Sequence, residues 1–375
     1  MRKITNGAPS TLNLILPEAF LGADDEEKRF AKIHKNMVDY LEKGLLTEYK
    51  DSMVYIERTD STGKVRAGLV GAIDLEMYDY RKGSSSQVRA TEATVAERIP
   101  ARMKIRTGAA LEASHIMVLI DGPARSVIEA VGENKESLTE LYDFTLMKKG
   151  GSIKGYLLGE KEIAAVDSAL AALGSQKEEP ILLYAIGDGN HSLAAAKTYY
   201  EKLKSDNPDK DLSNHPARYA LAEIVNLHSD ALEFEAIHRI VTGVDEKAFI
   251  CKMTKALGLT ENAESATQSF VCIANGEEKQ FGITAVQSNL TVGSVQQFID
   301  SYTKENGGSV DYIHGADVVR RLAAEKGSVG IILPDMPKSQ LFTTVIKDGT
   351  LPRKTFSMGH AEDKRYYLET RKITL

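Results

Sequence analysis

The sequence predicts a mixed α+β fold, with a large first lobe followed by a second, smaller α+β lobe. The strongest indication is the stretch from Ile181 to Leu203, where an apolar run, a Gly-containing turn and a helix-favouring segment follow one another. Pairs of apolar segments around short polar turns add hairpins to the first part of the chain. After Asp245 the alternation of helical and strand patterns starts again. We therefore predict lobes at 1–243 and 244–340, and a tail at 341–375 that returns to the first lobe.

The composition is that of an ordinary globular protein. Of the 375 residues, 42% are hydrophobic and 27% are charged, which excludes the disordered, collagen-like and disulfide-rich classes. The net charge of −6 offers no global attraction to nucleic acid or to an anionic membrane, so we expect neither as a partner. Two cysteines make neither a disulfide framework nor a zinc site, and the N-terminus lacks the apolar core of a signal peptide. These features predict a cytoplasmic protein.

The elements of the first lobe follow from the spacing of apolar residues. Apolar residues at helical spacing between Asp24 and Tyr49, with acidic residues early, predict an amphipathic helix. An Ala- and Leu-rich segment at 160–173 predicts a second helix. Strand–turn–strand patterns surround two polar turns, 60–63 and 148–151. Continuous apolar runs predict buried strands at 115–120 and 219–227.

Asp74 and Glu76 lie two residues apart at the end of one predicted strand. Alternation of side chains along a strand places them on one face, where two carboxylates can hold a metal ion. Such pairs also mark ordinary solvated strand ends, and this is the interpretation that we favour.

The turn Asp188-Gly189-Asn190-His191-Ser192 is the leading candidate site. Its glycine permits backbone angles closed to other residues, and Asn190 or Asp188 is placed to cap the helix that follows. The amides of the first helical turn then face outward, and such ends bind phosphate. Asp188 and His191 add a carboxylate and an imidazole. A plain strand-to-helix connection with a capping Asp and a surface His is the alternative.

The most basic part of the chain lies between residues 89 and 106. Its cations are Arg89, Arg98, Arg102, Lys104 and Arg106. Guanidinium groups match phosphate oxygens in geometry and charge, so this segment is a candidate phosphate-binding element. A helix with a solvated basic face explains the same pattern equally well.

Two later segments add candidate cations. If 232–241 is a strand, alternation places His238 and Arg239 on opposite faces, so they cannot both line one pocket. The tail around Lys354 is basic and contains Gly and His. That composition fits a lid over a site in the first lobe, or a surface arm.

Motifs in a fixed order resemble one protein family. They are Gly-Leu-Val-Gly-Ala-Ile-Asp-Leu-Glu at 68–76, Arg-Ala-Thr-Glu at 89–92, Asp-Gly-Asn-His-Ser-Leu-Ala-Ala-Ala at 188–196, Leu-Glu-Phe-Glu-Ala-Ile-His-Arg at 232–239 and the Lys354-Thr355 tail. In this order they resemble the domain-of-unknown-function family 1015 along nearly the whole chain. Its members usually carry Asp-Gly-His-His-Arg at the central turn, a motif similar to that of the ParB-like superfamily, which includes the ADP-dependent free-serine kinases. The resemblance implies a ParB-like N-terminal lobe.

The resemblance also implies roles for individual residues. In those relatives the turn and the helix after it hold nucleotide phosphates, and an upstream glutamate acts on the acceptor hydroxyl. By match of motif, Asp188 and His191 take the central roles, and Glu92 corresponds more loosely to the upstream glutamate.

This sequence departs from the family pattern at Asn190 and Ser192, which stand where a His and an Arg are usual. The departure removes a cation. Either the activity has been lost, or the positive charge comes from one of five other positions: Arg89, Arg98, Arg102, Arg239 or the tail at Lys354.

Together these features predict a nucleotide-binding phosphotransferase that acts on a small hydroxylated metabolite. Asp188, Glu92 and His191 would be its catalytic residues, with Glu92 as general base and Asp188 also binding Mg²⁺. The phosphates of ATP or ADP would be held by Gly189, Asn190, Ser192, Arg89, Arg98, Arg102, Arg239 and Lys354. The alternative is a non-enzymatic ParB-like protein that responds to a nucleotide or associates with DNA. A metal-dependent hydrolase is a weaker third candidate.

Overall fold

The fold is described from a computed structural model that covers residues 5–94, 96–261, 266–359, 364 and 366–375. The chain forms two compact units. The first comprises Met1–Leu232 with Ala361–Leu375, and the second comprises Glu233–His360. Helices and sheets contribute to both units, so the predicted mixed α+β class is confirmed.

A nine-stranded mixed sheet organises the first unit. Its strands are β1 (Val54–Thr59), β2 (Val65–Asp74), β3 (Tyr78–Asp79), β4 (Val88–Ala90), β6 (Met117–Ile120), β7 (Thr139–Thr145), β8 (Ser152–Leu157), β9 (Tyr184–Asp188) and β10 (Tyr219–Asn226). They lie in the order β3-β4-β9-β6-β10-β2-β1-β8-β7. The β3–β4, β4–β9 and β6–β10 pairs are parallel, and the remaining pairs are antiparallel. A separate ribbon pairs β5 (Leu111–Glu112) with β18 (Arg371–Lys372).

Five α-helices of the first unit have described bounds. They are α1 (Glu26–Glu42), α2 (Ile99–Arg106), α3 (Ile128–Gly132), α4 (Glu160–Ser175) and α5 (Asn190–Asp206). Alanine and leucine recur along α4 and α5 because these residues lose little side-chain freedom in a helix. Both helices cover one face of the sheet, where Leu173 and Leu193 join a buried cluster that includes Val118, Ile186 and Ile224. Burial of this apolar face holds α4 and α5 against the sheet.

The second unit is built on its own antiparallel sheet. Its strands are β11 (Phe234–Thr242), β12 (Leu259–Glu261), β13 (Ser269–Ala274), β14 (Glu277–Ile283), β15 (Ser309–His314), β16 (Ser328–Ile332) and β17 (Phe356–Met358). The main order is β12-β14-β13-β16-β11-β15, and β17 pairs with β11. The helices of this unit are α6 (Glu246–Leu257), α7 (Thr291–Asn306), α8 (Ala316–Ala323) and α9 (Gln340–Asp348).

The division of the chain differs from the one that we predicted. The first unit gives way to the second after Leu232 and not after residue 243, because β11 pairs with β15, β16 and β17. The segment from 341 to 359, including α9 and β17, also belongs to the second unit. Of the predicted tail, the first unit holds the part from 361 onward. A local pattern cannot reveal this division, because strand partners are distant in sequence.

In the part of the chain that the structure describes, no helix is both long and apolar enough to cross a membrane.

The carboxyl end of β6 carries an ion-pair cluster that gives the fold a pH dependence. Asp121 contacts Lys177 Nζ at 2.9 Å and His228 Nε2 at 2.8 Å. Burial alone raises the pKa of Asp121, but hydrogen bonds and charge from Lys177 and His228 outweigh it and lower this pKa below its ordinary value. A carboxylate with a lowered folded-state pKa stabilises the fold above its unfolded pKa of about 3.9, and this contribution disappears as pH falls through the folded-state pKa.

Wild type is therefore expected to unfold at higher urea concentration than Asp121→Asn at pH 6, and the difference should narrow between about pH 5 and pH 3. Urea denaturation at several pH values measures this. Asp230→Asn is the control, because Asp230 is exposed and pairs only at the surface, with Arg125. A difference that stays constant down to pH 3 would contradict the assignment.

Candidate functional site

The turn between β9 and α5 requires its glycine. Gly189 is the N-cap of α5 and adopts the left-handed conformation, with φ 87°. A Cβ at this position would lie 3.0 Å from Ile116 Cα, so both the backbone angle and the available space select glycine. Gly189 has no side chain with which to cap α5, and our prediction of a cap by Asn190 or Asp188 was wrong. Asp188 contacts Gly189 N and Lys364 instead.

Asp188 is held on both carboxylate oxygens. Oδ1 accepts a hydrogen bond from Gly189 N at 2.8 Å, and Oδ2 lies 2.9 Å from Lys364 Nζ. The side chain of Asp188 is 28% exposed and that of Lys364 is 40% exposed, so a ligand can reach this pair. The first amides of an α-helix have no acceptor within the helix. The Asp188–Lys364 pair therefore lies next to the N-terminus of α5.

Asp188 is the last residue of β9, and Glu92 follows β4, the neighbouring strand of the sheet. The β4–β9 ladder is parallel and aligns Ala90 with Ile186, and the two carboxylates each follow two residues later. The ladder ends at the Ala90–Ile186 pair, and adjacent strands lie about 4.8 Å apart, so both carboxylates belong to the same end of this strand pair. On the other side of β9, the β6 pairing skips Gly187, which makes a bulge just before Asp188.

Two buried polar atoms at this edge lack a hydrogen-bond partner among the described residues. They are Asn190 Oδ1, in the first turn of α5, and Thr94 Oγ1, in the segment that leaves β4. Buried polar atoms are nearly always hydrogen-bonded, because an unpaired one costs about 1–3 kcal/mol. A ligand with hydrogen-bond donors would satisfy both atoms.

His191 and Ser192 lie in the first turn of α5, where they are partly exposed. Their backbone is thus placed at the helix end, as the sequence predicted. Among the predicted site residues, Asp188 to Ser192 lie in one turn at the start of α5, and Glu92 follows the neighbouring strand β4.

Helix α2 packs against α5 and brings two arginines close to this region. Ile99 of α2 is buried against Ala194 and Ala195 of α5. Arg98 is the N-cap of α2, and its exposed guanidinium has no partner among the described residues. Arg102 forms an ion pair with Glu18, and its Nη1 donates to the carbonyl oxygen of Arg98. Of these two arginines, Arg98 is the better candidate for binding an anion.

Arg89 has a structural role and not the phosphate-binding role that we predicted. Its side chain is buried, and it donates to the carbonyl oxygens of Ser86, Pro180 and Ile181 at 2.7–3.1 Å. Burial lowers its pKa. Through Nε and Nη2 the guanidinium thus joins the segment before β4 to the segment before β9.

Arg239 and Lys354 belong to the second unit. Arg239 is fully buried and donates to Gln296 Oε1 and to the carbonyl oxygens of Ile237, Arg353 and Lys354. It fixes the segment before β17. Lys354 is exposed and has a positive φ of 54°.

The carboxylates of Asp74 and Glu76 are engaged by cations. Asp74 accepts two hydrogen bonds from Arg218, at 2.6 and 2.9 Å, and Glu76 pairs with Lys204 at 2.8 Å. Within the described ranges, no cluster of three or more His, Cys, Asp or Glu residues could hold a metal ion. Asp74 is the last residue of β2, whereas Glu76 lies in the one-turn helix Leu75–Met77, so the two do not share a strand face as we predicted.

Sequence reasoning placed no function on Lys364. The tail was recognised as basic, but we selected Lys354 as its site cation. No motif links Lys364 to the central turn, because the contact with Asp188 depends on the path of the chain after the second unit.

The sequence model of one protein family matches residues 2–302, and its description reads "Protein of unknown function (DUF1015)". The chain belongs to this family. No curated protein matches the sequence of this DUF1015 member.

Solved structures similar to this DUF1015 member are distant. SbnI with a C-terminal truncation, from Staphylococcus aureus, is 10% identical, and the match covers 80% of this chain and 87% of that one at a TM-score of 0.45. A free serine kinase mutant in complex with ADP is 14% identical, with coverage of 83% and 93% and a TM-score of 0.43. A conserved hypothetical protein from Pyrococcus furiosus is 12% identical, with coverage of 83% and 96% and a TM-score of 0.40. These similarities are too distant to assign an activity.

Proposed function

We propose that this DUF1015 member binds a nucleotide at the N-terminus of α5 and transfers a phosphoryl group to a small hydroxylated metabolite. One observation carries the proposal: the parallel β4–β9 ladder ends two residues before Glu92 and Asp188, and Asp188 leads directly into Gly189, the N-cap of α5. Helix N-termini of this kind bind phosphate through backbone amides and the helix dipole. The unpaired Asn190 Oδ1 and Thr94 Oγ1 offer acceptors for hydroxyl or amino groups of a ligand.

Each residue of the site has a proposed task. The amides of the first turn of α5, including Asn190 and Ser192, hold phosphate oxygens. Glu92 accepts the proton of the substrate hydroxyl as that oxygen bonds to the terminal phosphorus. The bond from this phosphorus to its bridging oxygen breaks, and the electron pair leaves with the nucleotide. Arg98 balances charge on the phosphate oxygens, and His191 donates a hydrogen bond to one of them.

The donor set of this site suits Mg²⁺, but the protein supplies a single carboxylate ligand. Asp188 is its one proposed protein ligand, and Mg²⁺ commonly takes one or two carboxylates together with substrate phosphates and water. When bound, Mg²⁺ neutralises charge on the phosphate oxygens.

The test is calorimetric titration of wild type and Asp188→Asn with ATP or ADP and Mg²⁺, followed by assays with a panel of hydroxylated metabolites. We expect wild type to bind and consume one nucleotide, and Asp188→Asn to bind it about tenfold or more weakly. Asp143→Asn is the matched control, because Asp143 forms a 2.8 Å ion pair with Lys154 at the opposite edge of the same sheet.

Two results would overturn the kinase proposal. One is a wild-type protein that binds no nucleotide, or that binds it equally well with Asp188→Asn. The other is nucleotide binding without consumption in the presence of any metabolite, which would support the nucleotide-responsive regulatory alternative.

A further inference from the structure

The proposed site needs a cation that its own motif does not supply. The first turn of α5 contains Asn190, His191 and Ser192 and no Lys or Arg, while Asp188 adds a negative charge next to the helix end. Phosphate beside a carboxylate is repelled unless a positive charge lies between or near them. Among the described residues, the cation in direct contact with Asp188 is Lys364, at 2.9 Å.

We infer that Lys364 is a phosphate-binding cation of this site in addition to Arg98, and that Arg58 is the residue that positions it. The inference rests on the proposed function. It assigns a site residue outside residues 2–302, the part of the chain that the family model matches.

The backbone of Lys364 is held by a buried guanidinium. Arg58 is 1% exposed, and its Nη1 donates to the carbonyl oxygen of Lys364 at 3.0 Å. Its Nε and Nη2 donate to the carbonyl oxygen of Gly150 at 3.1 and 2.8 Å. The guanidinium also lies over the ring of Tyr366, 4.8 Å from its centroid, and the Tyr366 hydroxyl donates to the carbonyl oxygen of Met147 at 2.7 Å. The C-terminal segment is therefore attached to the β7–β8 turn at two positions, Lys364 and Tyr366.

Further contacts fix the same segment toward its end. The hydroxyl of Tyr367 lies 3.1 Å from His115 Nδ1, and His115 directly precedes Ile116, the residue against which Gly189 packs. Arg371 donates to Glu112 Oε1 and to the carbonyl oxygens of Pro216 and Tyr219. An ordinary surface lysine loses most of the benefit of an ion pair in ordering its own side chain. Here the backbone is already ordered, so less entropy is lost when Lys364 binds a ligand.

The ammonium group of Lys364 retains donors for a ligand. A lysine ammonium has three N–H donors, and Asp188 is the partner of Nζ among the described residues. Asp188 Oδ1 is occupied by Gly189 N. One lysine can therefore neutralise Asp188 and still donate to a phosphate oxygen at the adjacent helix end.

The test compares the affinity of ADP with that of adenosine, which has the same nucleoside and no phosphate. Lys364→Ala is expected to weaken ADP binding about tenfold and to leave adenosine binding unchanged, and Lys364→Arg should restore part of the loss. Lys154→Ala is the matched control, since Lys154 forms a similar pair with Asp143 away from the site. A purely structural role for Lys364 would weaken both ligands equally and would overturn the inference.

Failure of the inference and failure of the proposed function give different results. If Lys364→Ala binds ADP as wild type does while Asp188→Asn does not, the assignment of Lys364 is wrong and the nucleotide site remains. If wild type binds no ADP, both are wrong.

The role of Arg58 is tested with a double-mutant cycle that combines Arg58→Lys with Lys364→Ala. Arg58→Lys keeps the positive charge and removes the forked guanidinium. This variant should weaken ADP binding in the wild-type background and cause no further loss in the Lys364→Ala background. Thermal melting confirms that the variant is folded. Equal losses of ADP affinity in both backgrounds would show that Arg58 does not act through Lys364. A second variant, Tyr366→Phe, removes the hydrogen bond to Met147 and so tests the same attachment without altering a buried charge.

Discussion

The Glu92→Gln variant is expected to transfer phosphoryl groups about 10²–10⁴ times more slowly than wild type, which is the usual contribution of a positioned general base. Glutamine keeps the size and polarity of the side chain but cannot accept the proton. Nucleotide affinity should change little, because the proposed contacts to phosphate come from the first turn of α5 and from neighbouring cations. The loss should therefore appear in kcat and not in KM.

Initial rates at saturating nucleotide, measured beside equilibrium nucleotide affinity, separate these effects. Glu97→Gln is the control, because Glu97 also follows β4 and is exposed in the one-turn helix Ala96–Arg98. A Glu92→Gln rate within twofold of wild type would remove Glu92 from the chemistry and leave only a binding site at this edge.

The Gly151→Ala variant is expected to lose substantially more stability than an alanine substitution at an uncrowded turn glycine. Gly151 has φ +76°, and an added Cβ would lie 1.9 Å from the carbonyl oxygen of Thr59. The left-handed backbone costs a residue with a side chain about 1–2 kcal/mol, and overpacking adds about 1–3 kcal/mol. The same turn presents the Gly150 carbonyl to Arg58, so the substitution should also disturb the attachment of Lys364.

Gly63→Ala separates the backbone cost from the overpacking cost in the loss of stability expected for Gly151→Ala. Gly63 lies in the β1–β2 turn with φ +90°, and an added Cβ there would meet nothing within 4 Å. It should show the backbone cost of about 1–2 kcal/mol alone. Urea denaturation of both variants makes the comparison. Equal destabilisation of Gly151→Ala and Gly63→Ala would mean that the contact with Thr59 relaxes without cost, and would contradict the prediction.

Much of the local structure was predictable from the sequence. The helix predicted between Asp24 and Tyr49 is present as α1, and both predicted hairpins form, as β1–β2 and β7–β8. These elements depend on periodicity and turn residues that are close in the chain. The limits of the two units were not predictable in this way, because β11 continues directly from the first unit and is assigned to the second by its strand partners.

The candidate site, like the fold, was predictable where it depends on neighbouring residues and not where it depends on distant contacts. Asp188 and the start of α5 were recognised because a strand, a glycine and a helix follow one another within a few residues. The basic residues were chosen by charge alone, and charge does not reveal whether a guanidinium meets solvent or backbone. Arg89 and Arg239 proved to be buried ties between backbone segments.

By itself the sequence determined a strand, a left-handed glycine and a helix N-terminus, since each depends on neighbouring residues and on local backbone geometry. Only the tertiary structure decided that β4, which precedes Glu92, pairs in parallel with β9, which ends at Asp188, and that Lys364 is the cation beside that carboxylate. The physical reason is that strand register and the path of the C-terminal segment are set by contacts between residues far apart in the chain. Burial of the sheet faces and of Arg58 fixes those contacts, and no local pattern of residues records them.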